Sequence, residues 1–198
     1  MASEYVFTPD YVDNNRINLQ HYLWCKIFGY RIHPHFSVED TDLRIADMGT
    51  GTNVWLIGLA ARLPASVQLE GLDISFDATA PKPMLPSNIV LQQWNVKDAV
   101  PTILLGRYDM LHIRHFIANS KTVVHQELLQ ATLSQDRRLA PTWVPRLPDL
   151  FSVSGLVAVE HEAREALPHL AMALHECNMS LHELIARQVG NTEFLVRV

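Results

Sequence analysis

A chain of 198 residues with 48% hydrophobic and 19% charged residues is long enough to bury its own core, which excludes a wholly disordered polymer. With 16 lysines and arginines against 21 carboxylates, the formal charge of −5 excludes a general attraction to nucleic acid or to an anionic membrane. The longest apolar run, Val54 to Ala61, is far short of the roughly 18–20 residues a bilayer span needs, and Met1 to Asp10 lacks the pattern of a secretory signal, so an intracellular address, cytoplasmic or nuclear, is expected.

In chain order, Arg16 to Tyr30 carries apolar residues at Ile17, Leu19, Tyr22, Leu23, Ile27 and Phe28, which predicts a helix ending near Gly29. Leu43 to Met48 reads as a strand closed by a glycine turn. Asn53 to Leu63 then has helical length, with Asn53 as its cap and Pro64 after its end. Val67 to Ile74, Ile89 to Trp94 and Tyr108 to Ile113 predict three more strands, with a short helix over Lys97 to Leu105. Strands alternating with helices imply a parallel α/β sheet. Beyond Phe116 the pattern predicts a helix over Thr122 to Leu139 and a proline-led segment from Trp143 that ends helical at Ser154. A strand over Leu156 to His161, a long helix over Leu167 to Gln188 and a terminal strand over Glu193 to Val198 follow.

The segment that carries chemistry is Asp47-Met48-Gly49-Thr50-Gly51-Thr52-Asn53, between the first strand and its helix. Glycine there lets the backbone turn sharply and approach a ligand, and ligands of open α/β sheets sit at the carboxyl ends of the strands. A dinucleotide fingerprint starting at Gly49 needs glycine at 54, which is Val54, and no Gly-Lys-Ser/Thr ending marks a phosphate loop. The second acidic residue, Asp73, ends the second strand, where a carboxylate accepts both hydroxyls of a ribose; the pocket suits a nucleoside without a pyrophosphate.

Four segments in order, Ile45 to Trp55, Gly71 to Ser75, Trp94 to Asp98 and Tyr108 to Arg114, resemble the class I S-adenosylmethionine-dependent methyltransferases, within them the fungal secondary-metabolism, LaeA-like group. The resemblance implies a Rossmann-like α/β fold, a mostly parallel sheet with flanking helices, and S-adenosyl-L-methionine as cofactor. It implies that Gly49 and Gly51 approach the methionine part, that Asp47 supports its ammonium through the loop, and that Asp73 holds the ribose. Asn95 would meet the adenine amino group and the Val96 N–H a ring nitrogen, with Trp94 or Ile74 against the ring. Arg114 and His115 would face the substrate. A methyl transfer needs an acceptor held in line with the methyl and, where required, a base; His112, His115 and His33 are the candidates, with His112, His115 and Arg114 taken as the catalytic set.

The chain departs from that pattern in two places. Asn53 stands where the family's loop has its third glycine, and no glycine occurs between Gly106 and Gly155, where relatives place a Lys-Pro-Gly-Gly-like turn before a fifth strand. The expectation is a truncated member whose sheet lacks the fifth strand and the full C-terminal hairpin, so that either the segment after Phe116 folds differently or a protein partner covers the exposed sheet edge. One domain over 1–198 is expected, with a helical lid over 1–40, a cofactor-binding half over 41–116 and a mostly helical substrate or partner half over 117–198. The function expected from the resemblance is methyl transfer to oxygen or nitrogen of a small secondary metabolite. The alternatives are a catalytically impaired subunit or regulator, and a methyltransferase-fold cyclase. Cys25 and Cys177 form no C-x-x-C pair, and no histidine spacing completes a zinc set, so neither a disulfide framework nor a metal is expected.

Overall fold

The computed structural model describes residues 11–114 and 146–189. Helix α1 (Tyr11–Phe28) precedes β1 (Arg44–Met48), α2 (Val54–Ala60), β2 (Gln68–Asp73), β3 (Ile89–Gln93) and β4 (Met110–Ile113), and α3 (Leu147–Val153) and α4 (Pro168–Val189) follow. The four strands form one parallel sheet in the order β3-β2-β1-β4. This is the Rossmann-like layout the motifs imply. The expected places of the fifth strand and closing hairpin, the helix over 122–139 and the strand over 193–198 lie outside the described residues.

The register fixes which side chains share a face. Ile45 stands opposite Leu69 and Met110, and Leu69 opposite Ile89, so these four project into one layer. Trp55, Leu56 and Leu59 of α2 close over that layer together with Leu43 and Val67. Each fully buried Leu or Ile of this kind contributes about 1.5–3 kcal/mol. Two residues along, the same face carries Asp47, Gly71, Leu91 and His112, so the polar end of the strands continues the apolar core. The opposite face holds a smaller cluster of Ala46, Leu72 and Leu104 with Trp94 and Tyr108 against it.

After β3 the chain crosses back to place β4 on the far side of β1, so the strand order reverses between β1 and β4. A crevice opens at the carboxyl ends of the strands at such a reversal. Helix α1 packs on α4, where Cys177 is buried and its Sγ lies 3.5 Å from the Arg16 carbonyl.

Several sequence expectations shift. The crossover over 97–105 is a single 3-10 turn, Thr102–Leu104, because Pro101 before it and Gly106 after it leave room for one turn. Helix α2 ends at Ala60 rather than Leu63, its last carbonyls taken by the N–H groups of Ala61, Arg62 and Leu63. In α1 the buried positions are Asp13, His21 and Leu23, while Leu19 and Tyr22 are exposed, so its inward face is more polar than its apolar spacing predicts. Leu156 to His161 forms no strand: Ala158 has φ 52° and Val157 is 88% exposed, with no ladder to join. The described residues divide into two compact units, one holding 146–165 with α3 and one holding 11–114 and 166–189. Among them no helix is long and apolar enough to cross a membrane.

Candidate functional site

The glycine loop is built by backbone bonds to the neighbouring strand. The N–H groups of Gly49 and Thr50 donate to the Leu72 carbonyl at 2.8 and 3.3 Å, which draws the loop over the end of β2. Gly49 and Gly51 both have positive φ, 70° and 54°, a conformation that excludes most side chains. Gly51 then donates its N–H to Asp73 Oδ2 at 2.9 Å, and Ile74 donates to Oδ1 at 2.7 Å. The two acidic positions and both glycines that the sequence singles out therefore meet at the ends of β1 and β2. Burial raises the Asp73 carboxyl above its ordinary value, opposed by the N–H groups of Gly51, Ile74 and Ser75 and aided by the charge of Asp47.

Asn53, expected as a side-chain cap, adopts φ 61° and caps nothing with its side chain. Asparagine is among the few residues that tolerate this left-handed backbone, so it keeps the conformation a glycine would give. Its Oδ1 instead accepts the Thr50 hydroxyl at 2.6 Å, directly above Gly71. A Cβ on Gly71 would fall 2.9 Å from that same oxygen, which is why β2 needs its glycine there.

Asp47 is buried at the end of β1 and pairs with His112 of β4, Oδ1 to Nδ1 at 2.7 Å. The His112 ring lies flat on Trp55, centroids 3.9 Å apart at 8°. One histidine nitrogen and one ring face are thus committed inside the fold. Arg114 donates from Nη2 to Nδ1 of His21 at 2.7 Å, joining the end of β4 to α1. His115 lies outside the described residues. The Trp94 N–H donates to the Asp73 carbonyl at 2.9 Å, so the chain that leaves β3 toward Asn95 and Val96 starts beside the end of β2. Asn95 Oδ1 accepts the Lys97 N–H at 3.0 Å and keeps its other lone pair. Trp94 Nε1 is buried without a partner among the described residues. His33 sits apart from these residues in the turn after α1, edge-on to Tyr30 and His35.

Residues of α1 that the sequence reading passed over complete the site. Asn18 Oδ1 accepts the Thr52 hydroxyl at 2.6 Å, and Ile17 faces Gly51. Asn18, His21 and Cys25 recur at i, i+3 and i+7, a polar stripe that marks one helix face and was legible in principle.

No family model matches the chain. It is 34% identical over 156 residues to the N-methyltransferase tcpN of Claviceps purpurea, covering 78% of this chain and 54% of that protein. It is 34% identical over 132 residues to the methyltransferase grgD of a Penicillium species, covering 60% of this chain and 45% of that one. The chain is similar in sequence to these fungal methyltransferases. The secondary metabolism regulator LAE1 of Gibberella fujikuroi matches at 24% identity over 74% of this chain and 47% of that protein, which places the similarity within the fungal secondary-metabolism group. The chain spans about half the length of the curated relatives it matches.

Proposed function

We propose that this chain binds S-adenosylmethionine across the ends of β1, β2 and β3 and takes part in methyl transfer to oxygen or nitrogen of a small secondary metabolite. The observation that carries the reading is the Gly51 N–H bonded to the Asp73 carboxylate at 2.9 Å, which sets a side-chain-free loop against a buried acid. The donor set fits the group. A Cβ on Gly51 would come into ordinary contact with Ile17 atoms at 3.9 and 4.0 Å, so no described side chain crowds the loop at that point. Asp73 retains lone pairs on both oxygens for ribose hydroxyls, and Asn95 Oδ1 keeps a lone pair for an adenine amino group.

When bound, the cofactor supplies an activated methyl and its own leaving group, so the protein's task is to orient the acceptor and hold its proton. His112 orients Asp47 and the loop. His115, one residue past Arg114, is the base this reading assigns to the acceptor.

Calorimetric titration with S-adenosylhomocysteine tests the reading, with Asp73→Ala expected to abolish binding and Asp73→Asn to weaken it. A folded wild-type chain that takes up no ligand at millimolar concentration removes it. A second reading, a non-catalytic subunit or regulator, is favoured by Leu111 and Ile113, which leave β4 half exposed on one face, at 48% and 51%. It predicts a hetero-oligomer, and methyl incorporation by the isolated chain counts against it.

A further inference from the structure

The Arg114 guanidinium lies half-buried where β4 ends, beside β1, which carries Asp47. Its partners among the described residues are Nδ1 of His21 at 2.7 Å and the sulfur of Cys25, neither of them a carboxylate. Arginine has only donors, so His21 Nδ1 is the acceptor and the imidazole proton sits on Nε2, 3.6 Å from Cys25 Sγ. His21 stays uncharged, its pKa lowered to about 4 by burial and then by the charges of Arg114, Arg31 and His112. Asp47 attracts Arg114 but is bonded to His112, and no ion pair joins Arg114 to a carboxylate among the described residues.

A half-buried cation with spare donors gains when an anion meets it. The fork of a guanidinium matches a carboxylate, two N–H groups to two oxygens. An acid and a base thus stand on adjacent strands at the reversal of strand order without neutralising each other, and that separation of charge complements a zwitterion. We propose that Arg114 binds the α-carboxylate at the amino-acid end of the cofactor, with Asp47 on the ammonium side. This rests on the cofactor reading above and adds to it the residue that reads the acid group.

The test compares two ligands and two proteins by calorimetry: S-adenosylhomocysteine and its decarboxylated analogue, which keeps the aminopropyl group, against wild type and Arg114→Gln. Wild type is expected to prefer the carboxylate-bearing ligand by about 10- to 100-fold, and Arg114→Gln to bind both alike. A Gln variant that keeps the wild-type ratio overturns the proposal while the cofactor reading stands; that is also the outcome if Arg114 serves a carboxylate on the acceptor. Equal binding of both ligands by wild type overturns it as well. Binding of neither ligand by wild type defeats the cofactor reading and this proposal with it. If Arg114→Gln does not fold by circular dichroism, Arg114→Lys takes its place: it keeps the charge without the fork, and is expected to retain a ratio several-fold smaller than wild type, an unchanged ratio counting against the proposal.

Discussion

His112 and Asp47 face each other across the β1 and β4 pairing at 2.7 Å, and the imidazole is pressed flat on Trp55. The arrangement spends the histidine on holding the carboxylate beneath the glycine loop. In His112→Ala the Asp47 carboxylate, 5% exposed, loses its hydrogen-bond partner and remains buried, a loss of about 1–3 kcal/mol. His112→Asn keeps one donor near the Nδ1 position and is expected to recover part of that. Urea unfolding measures both. An alanine variant within about 0.5 kcal/mol of wild type would show that the pair does not hold the loop.

Asn53 and Gly71 are coupled through the space between them. Asn53→Ala puts a Cβ-bearing residue without a compensating hydrogen bond at φ 61°, at a cost of about 1–2 kcal/mol, whereas Asn53→Gly keeps the backbone at ease and loses only the Thr50 bond. Gly71→Ala drives a methyl to 2.9 Å from Asn53 Oδ1 and Thr50 Cγ2 and 3.0 Å from Leu91 Cδ2, about 1–3 kcal/mol of overpacking. The double variant Asn53→Gly, Gly71→Ala should therefore be more stable than the sum of its parts by at least about 0.5 kcal/mol. Strict additivity in denaturant titrations would refute the coupling.

The loop and the four strands were legible because local chemistry dictates them: Gly49 and Gly51 announce positive φ, and apolar runs of four to six residues bounded by turns announce strands. The place of Asp73 beside the glycine loop was legible because its position at the end of β2 follows from the alternation itself. Other features depend on partners distant in sequence. Nothing local to Leu156 to His161 says that no strand will pair with it. The polar face of α1 was read as apolar because Leu19 and Tyr22 fit the period, while His21 is buried for Arg114, 93 residues away. Asn53 looked like a cap because asparagine favours caps, and its left-handed backbone follows from standing in a glycine's place.

His21 sets a pH dependence whose sign follows from its shift. Its pKa falls from 6.5 to about 4 on folding, so between those values the unfolded chain binds more protons than the native one. Stability is fully present above pH 6.5 and is lost as pH falls toward 4, with a slope of at most about 1.4 kcal/mol per pH unit. His21→Asn, which still offers Arg114 an acceptor oxygen, should flatten that part of the profile. Stability profiles of wild type and variant with the same slope between pH 6.5 and 4 would assign the effect to other groups.

Glu70 is a carboxylate in the middle of β2, 5% exposed, on the sheet face away from α2. Tyr108 donates its hydroxyl to Oε2 at 2.9 Å, and Arg107 Nη2 lies 3.0 Å from the same oxygen. Burial raises the Tyr108 pKa, and the bond to Glu70 raises it further, so the phenol stays protonated as a donor. The two partners differ in exposure. Arg107 is 31% exposed and can reach water when its partner is removed, so Arg107→Ala should cost under about 1 kcal/mol beyond its lost packing. Tyr108 has less recourse: Glu70→Leu fills the volume but orphans the hydroxyl, at about 1–3 kcal/mol. Adding Tyr108→Phe removes the stranded donor, so the double variant should regain most of that loss, because exchanging both members of a buried polar pair for apolar groups is close to neutral. A double variant less stable than Glu70→Leu alone would mean that the tyrosine hydroxyl stabilises this face through something other than Glu70.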